Sequence, residues 1–274
     1  MVKIGVNGAL GKMGSRILCL ANEQPKDFAI VQAFEINKYQ EMGKDISALL
    51  NLGKKLGVPL ENPQPYVDKK KKLTCDVLID FSGPDGTRWC NEAASDSKIK
   101  GLVVGSTGLD DALIKSLRTT AKRLPVVVSS NMSVGVNLLV ELLDTLTRKL
   151  PKDFDIEITE AHHRHKKDAP SGTALMLAAV IAKAKNWDLK KVLKYRQEGK
   201  IKEDRPSDEI GMQVIRAGQI VGDHTILFSG PAETIEITHR AQSRDTFARG
   251  ALLAASFVLS AKPGLYSMAD VLKK

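Results

Sequence analysis

Residues 2–14 read VKIGVNGALGKMG, an apolar run rich in β-branched residues that is followed by glycine at positions 8, 11 and 14. The run VKIGVN predicts a buried strand, and the pattern SRILCLANEQ after the last glycine predicts a helix. Glycines between a strand and a helix let backbone amides approach a pyrophosphate at a helix N-terminus. The stretch therefore predicts either a dinucleotide-binding turn or a purely structural one.

Glu35 favours the first of these alternatives. It ends the next β-type run, FAIVQAFE at 28–35, where an acidic side chain can accept hydrogen bonds from an adenosine ribose. A purely structural turn has no need of that residue. The phosphate preference stays open, because Glu35 favours NAD whereas Lys12 and Lys38 are placed to balance the 2′-phosphate of NADP.

The chain then alternates between β-type runs and helical patterns, at 75–81, 86–97, 101–105, 110–123 and 125–129. This alternation predicts an α/β fold with a Rossmann-like, doubly wound parallel sheet. We expect residues 38–72, which contain several Lys, Gly and Pro residues, to leave the edge of this sheet.

After Asn131 the pattern changes to that of an α+β unit. Helices are predicted at 134–150 and 171–185, with a strand at 155–163 between them. Three further strands between 210 and 241 are expected to form successive antiparallel hairpins. The sequence therefore predicts a dinucleotide-binding domain at 1–133, completed by a C-terminal segment at 243–274 whose helix stops before Pro263, and a second domain with a mixed, largely open sheet at 134–242.

Composition and the distribution of apolar residues disfavour a membrane-spanning or secreted protein. No apolar run of the 274 residues approaches the roughly 20 that span a bilayer, and the N-terminus lacks the features of a signal peptide. A cytoplasmic location is expected, or the plastid stroma if the source is a plant and a transit peptide has been removed. Cys19, Cys75 and Cys90 have no metal-type spacing, which favours reduced, packed thiols.

The net charge of +9 and the run Lys69–Lys72 raise the question of nucleic-acid binding. Aromatic residues are only 5% of the chain, which leaves little surface for base stacking. We therefore interpret the lysine run as a solvated loop and expect neither a nucleic-acid nor a membrane partner.

A second conspicuous stretch, EAHHRHKKDAPSGTA at 160–174, holds three of the five histidines. A metal site is disfavoured, because no regular conformation brings the three imidazoles together and the neighbouring Arg and Lys residues repel a cation. Ser171 opens a helix whose free amides suit an anion. Histidine and lysine side chains add groups that can transfer a proton. The stretch suits an anionic substrate that must be protonated.

These motifs resemble the 4-hydroxy-tetrahydrodipicolinate reductase (dihydrodipicolinate reductase) family of the diaminopimelate route to lysine. The resemblance covers nearly the whole chain. Its signatures are VNGALGKMG at 6–14, IDFSGPDGT at 79–87, GSTG at 105–108, NMSVGVN at 131–137, the stretch at 160–174, GDHTILF at 222–228 and EITHRAQSRDTFARGA at 236–251.

The resemblance implies an oxidoreductase that reduces a cyclic dicarboxylate with NADH or NADPH and loss of water. It implies proton transfer by His162 and Lys166, substrate contact by His163, and binding of a substrate carboxylate by Gly172 and Thr173. The cofactor contacts that it implies are Gly8, Ala9, Leu10, Gly11, Lys12, Met13, Glu35, Gly105, Ser106, Thr107, Ser129, Ser130, Asn131 and Met132. It also implies a homotetramer built through the strands of the second domain.

One position departs from the family pattern. Ile36 stands where many members carry an arginine that meets the 2′-phosphate. Two other classes of protein remain as alternatives: an aldehyde-type dehydrogenase, which needs a nucleophilic cysteine, and a non-catalytic dinucleotide sensor that binds nucleic acid.

Overall fold

A computed structural model of the chain describes residues 1–36, 40–195 and 204–273. These residues form two compact units. The first comprises Met1–Val134 together with Arg244–Lys274, and the second comprises Gly135–Ser243.

The first unit is built on a parallel sheet of seven strands, which confirms the predicted fold class. The strands are β1 Val2–Asn7, β2 Phe28–Phe34, β3 Leu60–Glu61, β4 Val77–Asp80, β5 Gly101–Val104, β6 Pro125–Val128 and β12 Gly264–Tyr266, in the spatial order β12-β6-β5-β4-β1-β2-β3. Every residue of β4 and β5 is buried, as expected for parallel strands that are covered on both faces.

Helices cover both faces of this sheet. They are α1 Gly14–Asn22, α2 Ile46–Leu49, α3 Gln64–Val67, α4 Pro84–Ser95, α5 Asp111–Thr120, α9 Asp245–Val258 and α10 Met268–Leu272. One hydrophobic cluster joins α1 and α9 to one face, and a second cluster joins α4 and α5 to the other. The chain changes direction across the sheet between β1 and β4, so the carboxyl ends of these strands mark the usual ligand crevice of such folds.

Two segments of the first unit depart from the predictions. Residues 38–72 were expected to leave the sheet edge, but β3 pairs with β2 and forms that edge. The strand is only two residues long, too short for a period to show in sequence. The segment after Pro263 also adds a strand, β12, at the opposite edge.

The second unit has a five-stranded mixed sheet. Its strands are β7 Asp155–His162, β8 Leu193–Tyr195, β9 Ile210–Arg216, β10 Gly222–Ser229 and β11 Thr234–Ala241, in the order β11-β10-β7-β9-β8. Its helices are α6 Val134–Lys149, α7 Gly172–Lys185 and α8 Leu189–Val192. Side chains of α6 and α7 pack with one face of the sheet in a single apolar cluster.

The prediction of successive antiparallel hairpins is wrong for β9. This strand runs parallel to β7, whereas β10 pairs antiparallel with β7 on the other side and with β11. The short connection between β9 and β10 favours a hairpin, but these two strands pair instead with opposite edges of β7. Local sequence does not show which partner a strand takes.

Among the residues that the structure describes, no helix has the length and apolar character needed to cross a bilayer. The predicted solvated loop at Lys69–Lys72 lies exposed in the first unit. Three of its lysines form ion pairs, with Asp96, Asp68 and Glu61.

Candidate active site

The glycine turn after β1 is tightly folded onto the end of β2. The amides of Gly8 and Ala9 both donate to the carbonyl of Phe34, at 3.0 Å each. Gly8 has a φ of 75°, which a residue with a side chain adopts only at a cost. A Cβ at Gly14 would lie 2.0 Å from the Gly8 carbonyl oxygen. The close approach of helix and turn therefore requires glycine at both positions.

The same turn leaves hydrogen-bond donors for a ligand. Within the described part of the chain, no residue accepts a hydrogen bond from the amides of Lys12 and Met13, which precede α1. Such donors at the start of a helix suit a pyrophosphate. The turn thus fits the nicotinamide dinucleotide that the sequence predicts.

Glu35 follows β2 and reaches back to this turn. Its carboxylate accepts hydrogen bonds from the amides of Leu10 and Ile36, both at 3.1 Å. The carboxylate is therefore held beside the glycine turn. Lys12 is exposed on that turn, while Lys38 lies outside the described residues.

The other predicted cofactor residues follow neighbouring strands of the sheet. Gly105, Ser106 and Thr107 come after β5, and residues 129–132 come after β6. A Cβ at Gly105 would meet the Phe81 ring at 2.1 Å, so close packing explains this glycine. Because the strands are parallel and adjacent, these loops share the carboxyl edge with the glycine turn.

Asp80, the last residue of β4, links these loops and was missed by the sequence analysis. Its buried carboxylate accepts hydrogen bonds of 2.5–2.7 Å from the side chains of Asn7, Ser82, Thr87 and Ser106. The four donors come from different elements. One carboxylate thus ties together the ends of β1, β4 and β5 and the first turn of α4.

In the second unit, the histidine-rich stretch begins on β7 and leaves it after His162. The imidazole Nδ1 of His162 lies 2.6 Å from Oε2 of Glu160, which is two residues earlier and therefore on the same face of the strand. Across the sheet, His162 and His224 of β10 make an edge-to-face ring contact with centroids 5.2 Å apart. His163 and His165 instead lie near each other, with ring centroids 6.2 Å apart.

The three histidines of the stretch therefore do not converge. Within the described ranges, no group of three or more His, Cys, Asp or Glu residues is arranged to hold a metal ion.

The predicted anion site lies at the start of α7. The Ser171 hydroxyl caps the helix by accepting from the amide of Ala174, and it also contacts Nε2 of His224 at 3.0 Å. Gly172 and Thr173 form the first turn, and a Cβ at Gly172 would meet nothing within 4 Å. The space beside this helix N-terminus can therefore take a carboxylate.

Lys166 lies in the loop between β7 and α7. Its ammonium group is 2.8 Å from Oδ2 of Asp168, and its side chain is mostly buried. Burial is the main cause of the lowered pKa of His162 and of His224, and the charge of Lys166 lowers both further. His163 follows His162 at the start of the same loop and is partly exposed.

Burial controls the charge of the two paired imidazoles. It is the main cause of a lowered pKa at His162, where Glu160 acts in the opposite direction. At His224, burial and then the charge of His162 lower the pKa to about 4. Both side chains are therefore mainly neutral near neutral pH.

The pKa of His224 predicts a loss of stability in acid. The unfolded chain binds this proton below the ordinary pKa of 6.5, whereas the folded chain resists it until about 4. The contribution of His224 is therefore complete above pH 6.5 and is lost as the pH falls towards 4. The expected loss is about 3 kcal/mol, in the same direction as those from His162 and His239.

Denaturant unfolding of the wild type and of His224→Gln at a series of pH values tests this prediction. The variant should lose less stability than the wild type between neutral and acid pH. Identical losses in the two proteins would mean that His224 does not contribute.

The cysteines are poorly suited to nucleophilic catalysis. Burial raises the pKa of all three thiols, and it takes that of Cys75 to about 12. A catalytic cysteine needs the opposite shift, because the thiolate is the nucleophile. This disfavours the aldehyde-dehydrogenase alternative.

Comparison with known proteins identifies the family that this chain resembles. The family models "Dihydrodipicolinate reductase, N-terminus" and "Dihydrodipicolinate reductase, C-terminus" match residues 2–132 and 135–272. The 4-hydroxy-tetrahydrodipicolinate reductase of Geotalea uraniireducens (strain Rf4) is 45% identical over 273 residues, covering 99% of both chains. That of Geobacter metallireducens is 44% identical over 273 residues, with the same coverage.

A solved structure, dipicolinate-bound dihydrodipicolinate reductase from Paenisporosarcina sp. TG-14, shares the fold. Its TM-score is 0.74 at 22% identity, over 99% of this chain and 100% of that one. The relatives are enzymes by name, which does not favour the alternative of a non-catalytic sensor. With two family models that together match nearly every residue and relatives of this identity, the chain belongs to the dihydrodipicolinate reductase family.

Proposed function

We propose that this chain reduces 4-hydroxy-tetrahydrodipicolinate to tetrahydrodipicolinate with NADH or NADPH, releasing water, in the diaminopimelate route to lysine. The observation that carries the proposal is the grouping in the second unit of a buried Glu160–His162 pair, the Lys166 ammonium group and the N-terminal turn of α7, which has open space beside Gly172. This grouping provides what an anionic, proton-requiring substrate needs.

Each residue of this grouping has its own proposed role in the reaction. When bound, the nicotinamide supplies a hydride. The backbone amides of Gly172 and Thr173 bind one substrate carboxylate at the N-terminus of α7. His163 contacts the substrate, and Lys166 donates the balancing proton. The neutral imidazole of His162 serves as a proton acceptor and donor beside it.

For the cofactor, we propose that the glycine turn binds the pyrophosphate and that Glu35 binds the adenosine ribose. The loops at 105–107 and 129–132 complete the site along the same edge of the sheet. The residue after Glu35 is Ile36, at a position where many family members carry an arginine that meets the 2′-phosphate. We therefore propose that NADH is accepted readily and that any use of NADPH depends on Lys12 or Lys38.

Glu35→Gln should change the cofactor preference. The amide is a poorer acceptor for ribose hydroxyls and no longer repels a phosphate, so kcat/KM with NADH should fall about tenfold relative to that with NADPH. Steady-state kinetics with each cofactor measure the ratio. Glu23→Gln, which removes an exposed carboxylate at the end of α1, is the control. Equal losses with the two cofactors would remove Glu35 from the choice between them.

A coupled reaction tests the function itself. The upstream synthase, pyruvate and aspartate semialdehyde generate the unstable substrate, and nicotinamide absorbance is followed with NADH and NADPH in turn. We expect oxidation that requires both the synthase and this chain. No synthase-dependent oxidation with either cofactor would reject the proposed function.

We further propose that the protein is a homotetramer formed through the strands of the second unit, and that it has no nucleic-acid partner. Sedimentation equilibrium gives the assembly size directly. Titration of labelled DNA at moderate salt should show only weak, salt-sensitive binding.

A further inference from the structure

We propose that Glu160 is a positioning residue that holds His162 in one tautomer and fixes the start of the substrate-binding helix α7 with the same carboxylate. The inference rests on the proposed function, because it assigns a task to a residue that supports the groups named there. Glu160 itself does not touch the reacting atoms in this proposal.

The Glu160 side chain is fully buried and its hydrogen-bonding capacity is completely used. Oε2 lies 2.6 Å from Nδ1 of His162 and accepts from Nη1 of Arg216 at 2.9 Å. Oε1 accepts from the amide of Ser171 at 3.0 Å and from Nη2 of Arg216 at 2.8 Å. A buried carboxylate is stable only when it is paired and hydrogen-bonded in this way.

This environment keeps Glu160 ionised. Burial by itself raises the pKa of the carboxyl group, but the hydrogen bonds from Arg216, His162 and Ser171 outweigh it and hold the pKa below its ordinary value. An ionised carboxylate can only accept hydrogen bonds. The proton of the neutral His162 imidazole must therefore lie on Nδ1, which leaves the lone pair on Nε2.

The surroundings of Nε2 agree with a free lone pair. Gly222, at the start of β10, faces this atom, and a Cβ there would lie 3.0 Å from it. A side chain at this position would crowd the one nitrogen of His162 that can exchange a proton. Glycine at position 222 keeps Nε2 accessible on that side.

The charges around His162 make Glu160 the main source of negative potential. Arg216 lies beside His162 on β9 and the His224 ring contacts it from β10. After burial, the charges of Lys166 and Arg216 lower the pKa of His162, whereas Glu160 raises it. Asp168 is engaged by Lys166. Without the Glu160 carboxylate, the imidazole would face mainly cationic groups.

The second task of Glu160 concerns the backbone. Its bond to the Ser171 amide fixes the residue that caps α7, directly before Gly172. Its partner Arg216 donates from Nη2 to the carbonyl of Asp168, two residues after Lys166. The Glu160–Arg216 pair thus connects the imidazole, the loop that carries the ammonium group and the start of the anion-binding helix.

Glu160→Gln keeps the size of the side chain but changes its charge and hydrogen-bonding groups, so it tests the positioning role of Glu160. If Oε1 of the glutamine keeps the Ser171 bond, the amide nitrogen faces Nδ1 of His162, which must then accept. We expect His162 to change to the Nε2–H tautomer, kcat to fall about tenfold and KM to change less than about threefold. Imidazole nitrogen–proton NMR reports the tautomer, with the His162 signals assigned by their loss in His162→Gln.

Asp144→Asn is the matched control. Asp144 on α6 also accepts two hydrogen bonds from one arginine, Arg148, but this pair is exposed. We expect this variant to leave the tautomer and kcat unchanged. Because Glu160→Gln leaves the partly buried Arg216 without its carboxylate partner, the double variant Glu160→Gln/Arg216→Met is tested as well, since it removes both charges of the pair.

The outcomes are distinct. A folded single or double variant in which His162 keeps the Nδ1–H tautomer would overturn the proposal. So would loss of kcat in Asp144→Asn as large as that in Glu160→Gln. The tautomer is measured without substrate, so it stands even if the wild-type chain shows no activity in the coupled reaction, a result that would reject the proposed function instead.

Discussion

Lys166→Ala should lower kcat by at least about a hundredfold, the usual contribution of a positioned general acid. The ammonium group is held by Asp168 and acts electrostatically on both buried imidazoles of the second unit. Alanine removes the proposed proton donor without placing a new group in the loop. Kinetics in the coupled reaction, with cofactor at saturation, measure the loss.

Substitutions at the next two positions distinguish loss of the proton donor from a disturbance of the loop. Lys167→Ala removes an exposed cation from the next position and should leave kcat within about twofold. Asp168→Asn removes the negative charge beside Lys166 but keeps the ammonium group, so the loss of kcat should be much smaller than that of Lys166→Ala. Near-normal turnover in Lys166→Ala would exclude this lysine as the acid, and an equal loss in Asp168→Asn would assign it a structural role.

Gly14→Ala should damage both folding and cofactor binding. The new Cβ would lie 2.0 Å from the carbonyl oxygen of Gly8 and 3.0 Å from Cα of Ala9, and all of these are backbone atoms that cannot rotate away. Helix α1 must move off the turn, at a cost of about 3 kcal/mol in the free energy of unfolding. NADH affinity should fall at least about tenfold, because the amides before α1 lose their alignment.

Denaturant unfolding and fluorescence titration with NADH give the two quantities. Gly43→Ala is the control for introducing a methyl group at a glycine, because Gly43 has a φ of 81° and open space around the missing Cβ. It should cost about 1 kcal/mol of stability and leave NADH binding unchanged. Unchanged NADH affinity in a folded Gly14→Ala protein would contradict the role given to the turn.

Most of the fold was predictable because its signals are local. Buried runs such as VLID at 77–80 and GLVV at 101–104 form parallel strands, and the helical patterns between them form the helices that cover the sheet. The failures were β3, β8 and β12, which are too short to show a period, and β9, whose partner is decided by competition for the edges of β7.

The candidate site was predictable in part for the same reason. His162, Lys166, Gly172 and Thr173 lie within one contiguous stretch, and the glycine turn directly follows its strand. Asp80, Arg216 and His224 were missed because each is an ordinary strand residue in sequence. Their roles depend on partners that are distant along the chain, such as Ser106 for Asp80 and Glu160 for Arg216.

The sequence by itself determined the class of both units and the chemistry available to them, because strand and helix periods, glycine spacing and titratable groups are properties of neighbouring residues. Only the tertiary structure decided how that chemistry is controlled. Burial and cross-strand contacts set the pKa of His224, and the Glu160 carboxylate orients the imidazole of His162. These effects arise from desolvation and from charges brought together by folding, and neither can be predicted from neighbouring residues alone.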